Sequence, residues 1–98
     1  MIENFKSKAL KLFYYKGDES KINPHHQQTI RDILDIMEAS SSLNDVASLP
    51  CNGFHPWKGQ GKNGKIWSLD VNGNFRILFR FDKTKGSYCD IDYTDPHS

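Results

Sequence analysis

Long hydrophobic runs are missing from this 98-residue chain. No stretch approaches the ~20 apolar residues that a membrane-crossing helix needs. The opening MIENFKSKALKLF has no charged-then-apolar leader ending in a small-residue cleavage site, so no signal peptide is expected. Two cysteines, Cys51 and Cys89, are too few for a disulfide scaffold. Excess charge of one sign is lacking as well: 13 Lys and Arg face 12 Asp and Glu, a net of +1. That balance neither demands nor excludes a nucleic-acid partner. Internal repeats, linkers, Gly-rich phosphate loops, paired-carboxylate motifs and nucleophile elbows are absent too. These absences leave one soluble domain over residues 1–98, expected in a reducing cytoplasm.

What is present falls into two halves with different periods. After 1–5, which could form a first strand, apolar residues at Ala9, Leu10, Leu12, Phe13 and Tyr14 predict a helix that stops at Gly17. Asn23-Pro24 predicts the opening of a second helix, with Ile30, Ile33, Leu34 and Met37 as its apolar stripe and Ile36 beside it. The three serines from Ser40 end it, and a helical turn over 43–49 is expected before Pro50. The period then becomes two. Trp67, Leu69 and Val71 alternate with Ser68 and Asp70, and Asn72-Gly73 is a strong hairpin signal. Phe75, Ile77, Phe79 and Phe81 alternate with Arg76, Leu78 and Arg80, and 82–86 reads as a second turn. Cys89, Ile91 and Tyr93 alternate with Tyr88, Asp90 and Asp92. The predicted fold is α+β: two N-terminal helices on one face of an antiparallel sheet of three consecutive strands. Arg76, Arg80, Asp90 and Asp92 are expected on the other face.

The stretch GFHPWKGQGKNGKIW, residues 53–67, concentrates cations and aromatics. Lys58, Lys62 and Lys65 with Phe54 and Trp57 suit phosphate neutralisation and base stacking, against the plainer reading of a solvated loop. Arg80 reads first as a cross-strand ion pair with Asp90 or Asp92, whereas Arg76 is open between such a pair and a phosphate clamp. His55 and His97 suit proton transfer near neutrality better than the adjacent His25 and His26 at a helix start. Cys51, His55, Cys89 and His97 are spaced poorly for zinc, and no metal or other cofactor is expected.

Three ordered motifs resemble one family. Phe54-His55-Pro56-Trp57-Lys58-Gly59, then WSLDVNGNFRI from Trp67 to Ile77, then Tyr93-Thr94-Asp95-Pro96-His97 are similar to elements of the HigB branch of the RelE-like toxins. The opening residues and the length fit too. The resemblance implies a microbial RNase fold. It also implies an mRNA interferase that cuts mRNA in the ribosomal A site, with a helix-turn-helix, HigA-like antitoxin as partner. Operator DNA would be met only through that antitoxin.

Carried over by position, the resemblance implies catalytic roles for His55, Lys58, Arg76, Asp95 and His97. Trp57, Lys62, Lys65, Arg80 and Tyr93 are the expected RNA contacts. Acid and base are left unassigned. Pro96 stands where the family commonly has tyrosine. Tyr93 or Tyr88 could substitute, the tyrosine could be dispensable, or the chain could be a weakened module that binds antitoxin or RNA without efficient cleavage.

Overall fold

A computed structural model describes residues 1–48, 53–57, 65–72 and 75–94. Three helices precede a sheet: α1 Lys8–Lys16, α2 Gln27–Ala39, α3 Leu43–Ala47, then β1 His55–Pro56, β2 Trp67–Asn72, β3 Phe75–Asp82 and β4 Ser87–Thr94. The four strands are antiparallel and lie in chain order. The architecture is α+β.

Local chemistry sets the helix ends. Ser7 caps α1 by accepting the Leu10 N–H on its hydroxyl at 3.2 Å, and Gly17 ends it in the left-handed region at φ 67°. Asn23-Pro24 does not begin α2, contrary to expectation. The Asn23 side chain accepts the His25 N–H at 2.9 Å, and its carbonyl accepts the His26 N–H at 2.8 Å. That satisfied turn delays the helix to Gln27, with His26 at its N-cap. Ser42 caps α3, which ends at Ala47; Leu49 and Pro50 lie outside the described residues.

Leu10, Phe13, Ile30, Ile33, Leu34 and Met37 from the helices meet Leu69, Ile77, Phe79, Tyr88 and Ile91 from the sheet in one core. Each such side chain contributes about 1.5–3 kcal/mol on full burial. The opening segment is not a full strand. Ile2 and Phe5 make single parallel bridges to Tyr88 and Ile91 along the outer edge of β4.

The alternation expected for β4 is overturned in its first half. Leu78 pairs with Asp92 but Arg80 pairs with Cys89, so β4 carries one extra residue there. That residue is a bulge at Asp90, whose φ is 51°. The bulge flips the strand: Tyr88, not Cys89, enters the helix-covered core, and Cys89 is buried on the opposite face beside Ser87. Asn4 holds Asp90 in this conformation, donating from its amide to the carboxylate at 2.9 Å and accepting the Asp90 N–H at 3.0 Å.

Candidate active site on the helix-free face

Strand pairing builds the site. β1 lies beside β2 with His55 opposite Ser68, while Asp70 of β2 faces Arg76 of β3, which in turn faces Thr94 of β4. All of these side chains belong to the face turned away from the helices. The sequence reading expected three strands; the fourth, β1, is two residues long, and it seats His55 at the sheet edge.

The centre is the Arg76 guanidinium. One of its terminal nitrogens is ion-paired with the Asp70 carboxylate and lies 3.5 Å from His55 Nε2. His55 Nε2 is itself 4.0 Å from the same carboxylate. The Trp57 ring lies under the guanidinium, 5.8 Å from centroid to Cζ. His55 Nδ1 sits 3.1 Å from the Pro56 carbonyl oxygen, which can only accept, so the hydrogen of the neutral ring belongs on Nδ1. Nε2 then carries the lone pair and faces the cluster. Arg76 Nε is buried without a partner among the described residues. Asp70 in turn rests against Gly53, whose φ is 50° and whose added Cβ would stand 2.4 Å from Asp70 Oδ2.

The expected RNA contacts divide. Trp57 joins the cluster. Lys65 places its ammonium 5.0 Å from the centre of the Trp67 ring. Arg80 donates from Nε to Asp90 at 2.8 Å, the ion pair that its position suggested. With the Asn4 hydrogen bond first and Arg80 second, these contacts hold the Asp90 carboxyl below the usual range. Phe54 is part of the scaffold rather than of a free loop, stacked on Trp67 at 4.7 Å.

Tyr93 lies on the opposite face, stacked on Phe75 at 5.2 Å and 2.6 Å from His26 Nδ1 through its hydroxyl. Tyr88 is in the core. Neither tyrosine therefore reaches the Arg76 cluster in place of the family's tyrosine, because both share the parity of Ile77 and Phe79. Lys58, Lys62, Asp95, Pro96 and His97 lie outside the described residues, as does Cys51. Among the described residues, no three His, Cys, Asp or Glu side chains form a ligand set for a metal.

Two residues escaped the sequence reading. Asp70 faces Arg76 through a register shift between Asp70 and Asn72, whereas the two-residue Asn72-Gly73 turn expected from the sequence would set Asp70 opposite Phe75. His26 was set aside with His25, yet it is only 3% exposed. Desolvation first, and the neighbouring His25 second, push its pKa below the ordinary value. A histidine titrates near 6.5 when unfolded, so below that pH the unfolded chain takes up the proton first. Stability from this group is full above about pH 6.5 and is lost as pH falls from there through the lower folded pKa. The drop in melting temperature between pH 7.5 and 5.0 is expected to shrink in His26→Gln. Tyr93→Phe, which strips the ring nitrogen of its partner, is expected to cost about 1–3 kcal/mol at pH 7.5. An unchanged pH response in His26→Gln would show that other groups carry it.

A family model of RelE-like HigB toxins of type II toxin–antitoxin systems matches residues 3–97. The chain belongs to this HigB-like toxin family. Endoribonuclease HigB of Proteus vulgaris is 31% identical over 97 residues, covering 99% of this chain and all of that protein. An uncharacterised protein of Haemophilus influenzae is 33% identical over 97 residues, covering 98% of this chain and 91% of its own length. In this HigB-like toxin, two of the three motifs bring His55, Trp57, Asp70 and Arg76 together. Of the third, Tyr93 and Thr94 lie within the described residues, Thr94 opposite Arg76 and Tyr93 on the other face.

Proposed function

We propose that this toxin is a metal-independent endoribonuclease that cleaves mRNA in the ribosomal A site and is neutralised by a helix-turn-helix antitoxin in the cytoplasm. The observation that carries the reading is the Arg76 guanidinium held against the His55 imidazole, with its Nε buried and lacking a partner among the described residues. A phosphate oxygen is the acceptor such a group fits. The name of the Proteus vulgaris relative, an endoribonuclease, supports the same chemistry.

In this reading the 2′-hydroxyl loses its proton and attacks the adjacent phosphorus. Negative charge gathers on the equatorial oxygens of the phosphorane, where Arg76 and Lys58 stabilise it. The 5′-oxygen leaves and takes a proton. His55 Nε2 faces the cluster with its lone pair, so it can take a proton at one stage and return it at another. Asp95 and His97 are the other proton carriers by family position.

One observation favours the second reading, a weakened module. The Asp70 carboxylate occupies Arg76 at the place a phosphate would take. A translation extract with an mRNA reporter, mapped by primer extension, separates the two. Cuts within codons that require ribosomes and survive EDTA are the expected result. Equal cutting of naked mRNA removes the ribosome from the proposal, and intact reporter at saturating toxin favours the binding module.

A further inference from the structure

The outer face of α1 has a composition that packing does not explain. Leu10 and Phe13 turn inward, which leaves Lys8, Lys11, Leu12, Tyr15 and Lys16 on the outside stripe. The helix contains no acidic residue. Lys8 in its first turn opposes the helix dipole, and Lys8 with Lys11 is a like-charge pair three residues apart; both arrangements cost stability. The outside of α2, by contrast, mixes Arg31 with Asp32, Asp35 and Glu38. Lys6, Lys8, Lys11 and Lys16 make no ion pair among the described residues. The nearby acid is Asp90, which Lys6 influences but which Arg80 and Asn4 already hold.

These lysines border a cleft of about 430 Å³ between the segment before α1 and the helix itself. Tyr15 stands at its wall, 59% exposed. Its ring makes T-shaped contacts with Phe5 at 5.8 Å and 90° and with Tyr14 at 5.1 Å and 78°. An exposed aromatic ring held amid cations is suited to stacking a base, with the lysines around it suited to phosphates. The segment leading into α1 runs along the outer edge of β4, whereas His55 is on β1 at the opposite edge. Three strand spacings, about 14 Å, separate β1 from β4, and the segment lies one spacing further out.

We propose that this face is a second RNA contact, with Lys6, Lys8, Lys11 and Lys16 on backbone phosphates and one unpaired base on Tyr15. It rests on the reading of the chain as an RNA-cleaving toxin, and it binds a segment apart from the one at Arg76. An RNA strand fits better than an acidic protein because an exposed tyrosine ring among lysines suits a base between phosphates, while the lysines give no geometric fork for carboxylates.

The test uses the full chain, a fluorescein-labelled single-stranded RNA 12-mer and anisotropy titrations from low to moderate salt. Lys8→Gln with Lys11→Gln and Lys16→Gln should weaken binding and flatten the salt dependence by about 2 logarithmic units. Tyr15→Ala should weaken binding about 5- to 150-fold, and Tyr15→Phe should restore it. Circular dichroism melting checks that each variant is folded. Unchanged RNA affinity in both the triple variant and Tyr15→Ala overturns the proposal. So does a triple variant that keeps its RNA affinity but loses the antitoxin, because the face then docks an acidic protein. If the unmodified chain binds RNA through α1 but cuts no reporter, the catalytic reading fails and this contact stands.

Discussion

Arg76→Ala is expected to lower the single-turnover rate of mRNA cleavage by about 10²–10³ at saturating ribosome, the usual cost of one electrostatic contact to a developing oxyanion. The side chain is only 23% exposed, so water replaces it poorly. Four features meet on it: the Asp70 carboxylate, the His55 ring, the Trp57 face and a buried Nε without a partner among the described residues. Removing it also leaves Asp70 as an uncompensated negative charge beside the phosphate, which adds repulsion. Arg76→Lys should recover part of the rate, because charge returns without the planar fork. His55→Ala should cost about 10²-fold if the ring carries a proton. A rate for Arg76→Ala within twofold of the unmodified chain would place the chemistry elsewhere.

Gly53→Val should damage both stability and cleavage. A β-branched residue at φ 50° is strained, at about 1–3 kcal/mol. The added Cβ meets Asp70 Oδ2 at 2.4 Å, and the carboxylate must move. Moving it withdraws the group that orients Arg76. Each kcal/mol lost lowers the melting temperature of a domain this size by roughly 4–8 °C, so a fall of several degrees is expected together with a slower chemical step. Gly53→Val with Asp70→Gly removes the collision but keeps the backbone strain. The stability cost of Gly53→Val should be smaller in an Asp70→Gly background than in the unmodified chain, while the rate stays low, since Arg76 then has no carboxylate to hold it. An equal cost in the two backgrounds would show that the carboxylate gives way freely.

Much of the fold was legible because periodicity and caps are local. Ile30, Ile33, Leu34 and Met37 mark one buried stripe, and Leu69, Ile77 and Phe79 mark the matching face. What escaped depends on distant partners. The bulge at Asp90 exists because Asn4, 86 positions away, holds it, and nothing in the alternation of β4 announces that partner. The delayed start of α2 follows from a turn whose hydrogen bonds compete with the helix. In the site, His55, Trp57 and Arg76 came from motif position and do meet. Arg80 and Tyr93 are placed elsewhere by an ion pair and by strand parity. Asp70 required the register shift within the hairpin, and His26 required knowing that β4 would bring Tyr93 to it.

The segment along β4 also sets the order in which the molecule can be completed. The Glu3 N–H donates to the Tyr88 carbonyl at 2.8 Å, and the Lys6 N–H donates to the Ile91 carbonyl at 2.9 Å. Contacts between such distant positions close late, because a long loop must be ordered before they reward it. During synthesis α1 and α2 emerge well before β4, and until β4 arrives their apolar stripes lack the sheet that covers them. Arg76 likewise lacks its Thr94 neighbour. A nascent toxin is therefore unfinished, at its edge and at its site alike, until its last strand has left the ribosome that made it.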